Sequence, residues 1–234
     1  MFARRLSALL LVFLLPLAAF AQNLSLSTVY FGATGMQGDF ETVQLDGATP
    51  TFGEEVIGWA WGVRVGTPTW RFGIDTRNLA EGADLDAPFD GATGKIAATQ
   101  VVFDVNYGLI QAGGGRFIVA PTLGAGWERT RLSFRRADVE DVDAEPPLID
   151  FVSPTAQFEQ YGLLFDASLQ IDYALRFDAE FDEIAWILSV RGGYRFVPAT
   201  FGWREIVEDL GSTEINGFPE FDFAGPYVSV SIGL

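Results

Sequence analysis

Ile57-Gly58-Trp59-Ala60-Trp61-Gly62-Val63-Arg64-Val65-Gly66 is a run in which every odd position is large and apolar and every even position is small or charged. A period of two belongs to a strand, whose side chains point alternately to its two faces. A sheet with one wet face normally packs its bulky residues inward and shows polar ones to water. Here Trp and the branched aliphatics share one face, and Gly, Ala and Arg share the other. The run therefore predicts a sheet whose bulky face meets lipid.

Working outward from it, the same alternation predicts strands over 23–31, 55–66, 70–78, 96–110, 116–134, 159–177, 184–197 and 221–234. The connections between them alternate. Stretches 32–53, 79–95, 135–158 and 198–220 are long and polar, whereas 67–69, 111–115 and 178–183 are short. Thr67-Pro68-Thr69 is a tight turn because Pro presets φ, and Gly113-Gly114-Gly115 supplies a permissive backbone. Pro121, inside a predicted strand, calls for a bulge or irregular pairing. An even number of antiparallel strands with short periplasmic turns and long extracellular loops is the plan of bacterial outer-membrane barrels. The expected fold is all-β: an eight-stranded antiparallel up-and-down transmembrane β-barrel.

Residues 1–21 have the form of a secretory signal peptide. Arg4 and Arg5 precede the apolar run Leu6 to Phe20, and Ala19-Phe20-Ala21 offers a small-x-small cleavage site before Gln22. At about 15 residues and interrupted by Pro16, the run is shorter than the ~20 residues a spanning helix needs. The barrel domain is then 22–234. Losing the two cations Arg4 and Arg5 takes the formal charge from −16 to about −18, so nucleic acid is not an expected partner. The chain has no Cys, so no disulfide staples it, and no His, so the commonest general base and metal ligand is missing.

Three observations assign the faces. The face opposite the bulky one is crowded with Gly, Ala and Ser, which suit the narrow interior of an eight-stranded barrel. It also carries both signs of charge: Arg64, Arg71, Asp75, Arg77, Asp104, Glu128, Asp166, Asp172, Arg176, Arg191 and Arg195. Buried charges must pair, so these form an expected lumen charge network. Aromatics of the bulky face fall near strand ends, as amphipathic rings do at the two lipid–water interfaces. Trp70, Tyr107, Phe117, Tyr173 and Trp186 fall near the periplasmic side. Tyr30, Trp59, Trp127, Tyr161, Tyr194 and Phe196 fall near the other.

With these features the chain resembles the small outer-membrane β-barrel proteins of the OmpA-like transmembrane-barrel and OmpX type. The resemblance rests on the signal peptide, the loop order and the closing strand Tyr227-Val228-Ser229-Val230-Ser231-Ile232-Gly233-Leu234. It implies outer-membrane lipid as surroundings and recognition of the closing strand by the barrel-assembly machinery. That strand usually ends in an aromatic residue in such proteins, and here it ends in Leu234. The barrel enzymes of outer membranes generally place His beside Ser or an acid, so neither a catalytic site nor a cofactor is expected. The acidic stretch Asp138 to Glu145 offers the hard oxygen ligands that suit divalent cations, but lacks the spacing of a defined calcium loop. A solvated loop is the plainer reading. The expected protein is a monomeric, non-enzymatic barrel with a filled lumen and a structural or surface-interaction role. A narrow pore for small solutes is the alternative, and so is a soluble lipocalin-like carrier with the Trp59/Trp61 face turned inward.

Overall fold

The computed structural model describes residues 26–37, 55–84, 93–113, 116–135, 155–175, 186–207, 211–215 and 223–234. Residues 1–21, the acidic stretch 138–145 and Arg176 lie outside the described residues. The strands are β1 (Leu26–Gln37), β2 (Glu55–Gly66), β3 (Trp70–Asp84), β4 (Thr93–Tyr107), β5 (Ile110–Ala112), β6 (Phe117–Arg135), β7 (Thr155–Leu175), β8 (Trp186–Val207), β9 (Gly211–Ile215) and β10 (Gly225–Gly233). Eight of them form the wall, each antiparallel to its neighbours, in the order β10-β1-β2-β3-β4-β6-β7-β8. The pairing of β8 with β10 closes the ring. Closure leaves no free sheet edge, which a spanning sheet requires because hydrocarbon supplies no hydrogen-bond partners. The short β5 continues β4 along β6, and β9 folds back on the far end of β8.

Strand register explains the barrel's two surfaces. On β2, Ile57, Trp59, Trp61 and Val63 point outward and are exposed, while Val56, Ala60, Gly62 and Arg64 are buried. Trp59 and Trp61 keep 45% and 44% of their surface accessible, the reverse of what an apolar-ligand carrier needs. Val228, Val230 and Ile232 of β10 face out, and Ser229 and Ser231 face in. From Ile57 to Val65, eight steps along a tilted strand span roughly 20 Å of the barrel axis, close to the apolar band of such barrels.

The first strand departs from the sequence-based expectation. Tyr30 faces the interior at 4% exposure, and its neighbour Phe31 faces outward at 60%. Both are aromatic, so β1 alone does not say which one points in. The position is set across the sheet: Tyr30 lies in register with Gly62 of β2 and Gly233 of β10, where two missing side chains admit its ring. Pro121 is in regular register with Leu169 of β7, and the bulges lie instead between β7 and β8. On its other side, however, the ladder breaks between Asn106↔Thr122 and Ile110↔Val119. A residue without an N–H is tolerated at such a break.

The strands also run further than expected at the end bearing 38–54, 85–92, 136–154 and 208–224. β1 continues to Gln37, β3 to Asp84 and β8 through Pro198 to Val207. In this zone the pattern inverts. Leu79, Ile96, Leu132, Phe158 and Trp203 point inward and are almost wholly buried. Lys95, Thr99, Arg131, Gln157 and Arg204 point outward and are exposed. Water therefore surrounds the wall past the row holding Trp127 and Leu163.

Candidate functional site

Among the described residues, buried charged side chains converge in the interior. Ten of the eleven charged residues expected there are described, and all ten are buried: Arg64, Arg71, Arg77, Arg191 and Arg195 with Asp75, Asp104, Glu128, Asp166 and Asp172. Five guanidinium groups thus face five carboxylates, and this buried set is neutral. Neutrality matters because an uncompensated charge in a space shut off from water is costly. The glycines of the same face make the room. A Cβ on Gly73 would come within 2.5 Å of Asp104 Oδ1 and 2.9 Å of Arg64 Cγ.

Arg191 is the hub. From β8 it reaches Asp104 of β4 at 2.7 Å, Asp166 of β7 at 2.8 Å and Asp75 of β3 at 3.4 Å, and its Nε donates to Ser168 Oγ at 2.8 Å. Arg77 pairs with Asp75 and, at 3.2 Å, with Asp166. Tyr227 lies between Arg77 and Arg195, whose guanidinium carbons stand 4.4 and 4.1 Å from its ring centre, and its hydroxyl donates to Asp166 at 2.9 Å. Asp166 therefore meets three guanidinium groups, since Arg195 Nε is 3.6 Å away. The side chains involved hang from β3, β4, β7, β8 and β10, so the network ties opposite walls together.

Two smaller groups flank this hub. Toward the turn end, Arg71 pairs with Asp172, which also accepts from Gln170 at 2.7 Å and Ser189 at 2.6 Å. Toward the loop end, Glu128 accepts from Gln100 at 2.7 Å, Thr130 at 3.0 Å and the backbone N–H of Phe223 at 3.1 Å. Arg195 donates in turn to Gln100 Oε1, linking this group to the hub. Arg64 is different: among the described residues it makes no ion pair, and its guanidinium covers the Tyr30 ring at 4.0 Å. Tyr30, expected among the outward interface aromatics, joins this interior set instead, and Tyr227, Gln100, Gln170, Ser168 and Ser189 were not singled out from the sequence as partners of the charges. Their signal was their inward phase, which also holds many residues with no such part. Asp166 and Asp172 find their partners, Arg191, Arg77, Arg195 and Arg71, on other strands.

Above the polar groups sits the apolar zone made by Phe158, Trp203, Phe223, Leu79, Ile96 and Leu132, each at most 2% exposed. Polar and apolar plugs are stacked along one lumen. Outside, Trp59, Trp70, Tyr107, Trp127, Tyr173, Trp186 and Tyr194 project from the wall, and Tyr161 is half-buried. Trp70 and Tyr107 pair across β3 and β4 at 4.7 Å near the turn end, and Phe31 stacks on Trp59 at 6.1 Å. A shallow apolar groove of about 390 Å³ lies on this outer wall, between Phe31, Trp59, Leu188 and Ile232.

No family model and no curated protein matches the chain in sequence. Solved structures do match it in shape. A major outer membrane protein from Thermus thermophilus superposes with a TM-score of 0.50 at 12% identity, covering 88% of this chain and 99% of that one. OprG of Pseudomonas aeruginosa gives 0.49 at 13% identity, covering 88% and 93%. Ail, the attachment invasion locus protein of Yersinia pestis, gives 0.42 at 10%, covering 88% and 94%. A closed eight-stranded antiparallel wall, bulky residues outside and paired charges inside, gives this chain the fold of the small bacterial outer-membrane β-barrels.

Proposed function

We propose that this chain is a monomeric, non-enzymatic barrel of the bacterial outer membrane, closed to solute flow, that serves as a structural and surface-interaction element. The observation that carries this reading is the neutral set of five arginines and five acids, all buried, beneath an apolar plug. An eight-stranded barrel has an interior just wide enough for side chains to fill, whereas water-filled channels take about 16 strands. Salt bridges that cross the lumen from β8 to β3, β4 and β7 support a cross-braced wall. The outward aromatics Trp59, Trp70, Tyr107, Trp127, Tyr161, Tyr173, Trp186 and Tyr194 would sit at the two lipid–water interfaces. Residues 1–21 would direct export, the closing strand β10 would engage the barrel-assembly machinery, and divalent cations would gather at the acidic stretch 138–145.

Planar-bilayer recording tests the reading. The purified barrel should insert without stepwise conductance. Reproducible single-channel steps that disappear when Arg64 and Arg191 are neutralised would overturn it in favour of a narrow pore.

A further inference from the structure

We infer that the outer wall of β4 and β6 carries a binding site for the phosphate of an outer-leaflet lipid headgroup. The inference rests on the outer-membrane reading above and goes beyond it, because that reading assigns no ligand to the wall.

The chain is strongly acidic, yet its outward-facing cations are not scattered. Among the described side chains they are Lys95, Arg129, Arg131 and Arg204, with Arg116 at the opposite rim. Register places the first four on β4, β6 and β8. The row Thr99–Arg129–Tyr161–Phe201 is followed, one step further from the membrane, by Ala97–Arg131–Glu159–Arg204, and Lys95 stands opposite Ser133 in the next row. Arg129 and Arg131 are two residues apart on one face, roughly 7 Å. Lys95 is the diagonal neighbour of Arg131, about 7–8 Å away.

Among the described side chains, one acid lies in this group. Glu159 accepts from Arg129 Nε at 2.9 Å, and Arg129 also covers the Tyr161 ring at 5.8 Å. That pair fixes Arg129. Arg204 hangs from β8, with β7 between it and Arg131 of β6, so the close group of cations is Lys95, Arg129 and Arg131. Among the described residues, Lys95 and Arg131 make no ion pair and are exposed.

The position of this cluster selects its ligand. Directly below, on the same face and toward the membrane, stand Trp127 and Phe103, whose rings meet at 5.8 Å. These belong to the lipid-facing belt. A group bound by Arg131 and Lys95 therefore sits where the headgroups begin, with its hydrocarbon lying over Trp127 and Phe103. A phosphate monoester fits such a place. It offers three acceptor oxygens to guanidinium forks and carries enough charge to span two cations. The adjoining flank, with Ile57 and Glu55 of β2 and Ala80 of β3, shows no cation at this height among the described side chains. The site is one-sided, so the barrel would hold one or two such lipids and not a full ring.

The test uses the full mature barrel in detergent and titrates it with a bis-phosphorylated acylated disaccharide lipid and with the same lipid stripped of phosphate. Bound lipid is counted by native mass spectrometry. The wild-type barrel should bind the phosphorylated form, and K95Q/R131Q should bind it about tenfold more weakly, matching two modest surface interactions. R116Q at the other rim should leave binding unchanged, and added salt should weaken it. Equal binding of the two lipid forms, or undiminished binding by K95Q/R131Q, would overturn the site. Competition by inorganic phosphate at the same concentration would make it a free-anion site and overturn the lipid assignment. Heat-modifiable migration of every variant shows that its barrel is intact. A wild-type chain without that behaviour would instead count against the membrane reading.

Discussion

Replacing Arg191 by Met would test whether the lumen network supports the wall. Arg191 is the sole ion-pair partner of Asp104 among the described residues, whereas Asp75 keeps Arg77, and Asp166 keeps Arg77 and Arg195. The damage should therefore fall on Asp104, whose other contact is the Asn106 amide at 2.9 Å. An uncompensated buried charge costs about 3–5 kcal/mol. The buried set would also change from neutral to a single negative charge. Asp104→Asn alone should destabilise as well, because it leaves Arg191 in excess. In the double variant neither charge is stranded, so the two losses should not add. A coupling of about 1–3 kcal/mol is expected for residues in direct contact. The assay is equilibrium urea unfolding in phospholipid vesicles, followed by Trp fluorescence and extrapolated linearly. Additivity to within about 0.5 kcal/mol would refute the reasoning, and so would a single-variant loss below about 1 kcal/mol.

Other substitutions probe the wall and the plug. Trp61→Arg puts a charge at the middle of the lipid-facing run of β2 and should cost about 2–4 kcal/mol, read as lost folding into vesicles on a heat-modifiability gel. Assembly at the wild-type level would mean the faces are reversed. Gly62→Val forces a side chain against the Tyr30 ring and the Ile74 carbonyl, and should cost about 1–3 kcal/mol in the same urea assay; an unchanged midpoint would contradict the tight fit drawn for Tyr30. Phe158→Ala empties part of the apolar plug and should cost about 3–5 kcal/mol. Protease should then cut the loop-end extensions while the membrane-embedded part still migrates as a folded barrel. Equal protease resistance in the variant and the wild type would show that the plug does not hold that zone.

How much of this was legible in the sequence varies with the local signal. On β2 both faces are extreme, Trp and Val against Gly and Arg, so strand, phase and side can all be read from ten residues. On β1 the adjacent Tyr30 and Phe31 give opposite answers of equal strength, and the decision lies with Gly62 on another strand. The loop-end extensions were hidden for a different reason. Once the strands leave lipid, Leu79, Ile96 and Leu132 turn inward, and a search for bulky residues on the outer phase loses the strand where it changes solvent. Membership of the lumen set followed from inward phase and charge. Its pairing did not, because Arg71 and Asp172 are 101 residues apart in the chain and meet only through closure. The basic patch on β4 and β6 was concealed in the same way, since Lys95 falls in a stretch that reads as loop.

The bulky face meeting lipid and the lumen being closed to water are two linked properties of one wall. The most direct measurement uses the absence of Cys from the chain. Single cysteines at the inward Ser229 and Ser231 are near-isosteric, and Val228→Cys and Val230→Cys sample the outward face of the same strand. Each is exposed in folded vesicles to a water-soluble maleimide and to a lipid-soluble one. The prediction is that positions 228 and 230 react only with the lipid-soluble reagent, that 229 and 231 react with neither, and that all four react after unfolding. Labelling of 229 or 231 by the water-soluble reagent in the folded barrel would contradict a closed lumen. Labelling of 228 or 230 by that reagent would contradict the assignment of the faces.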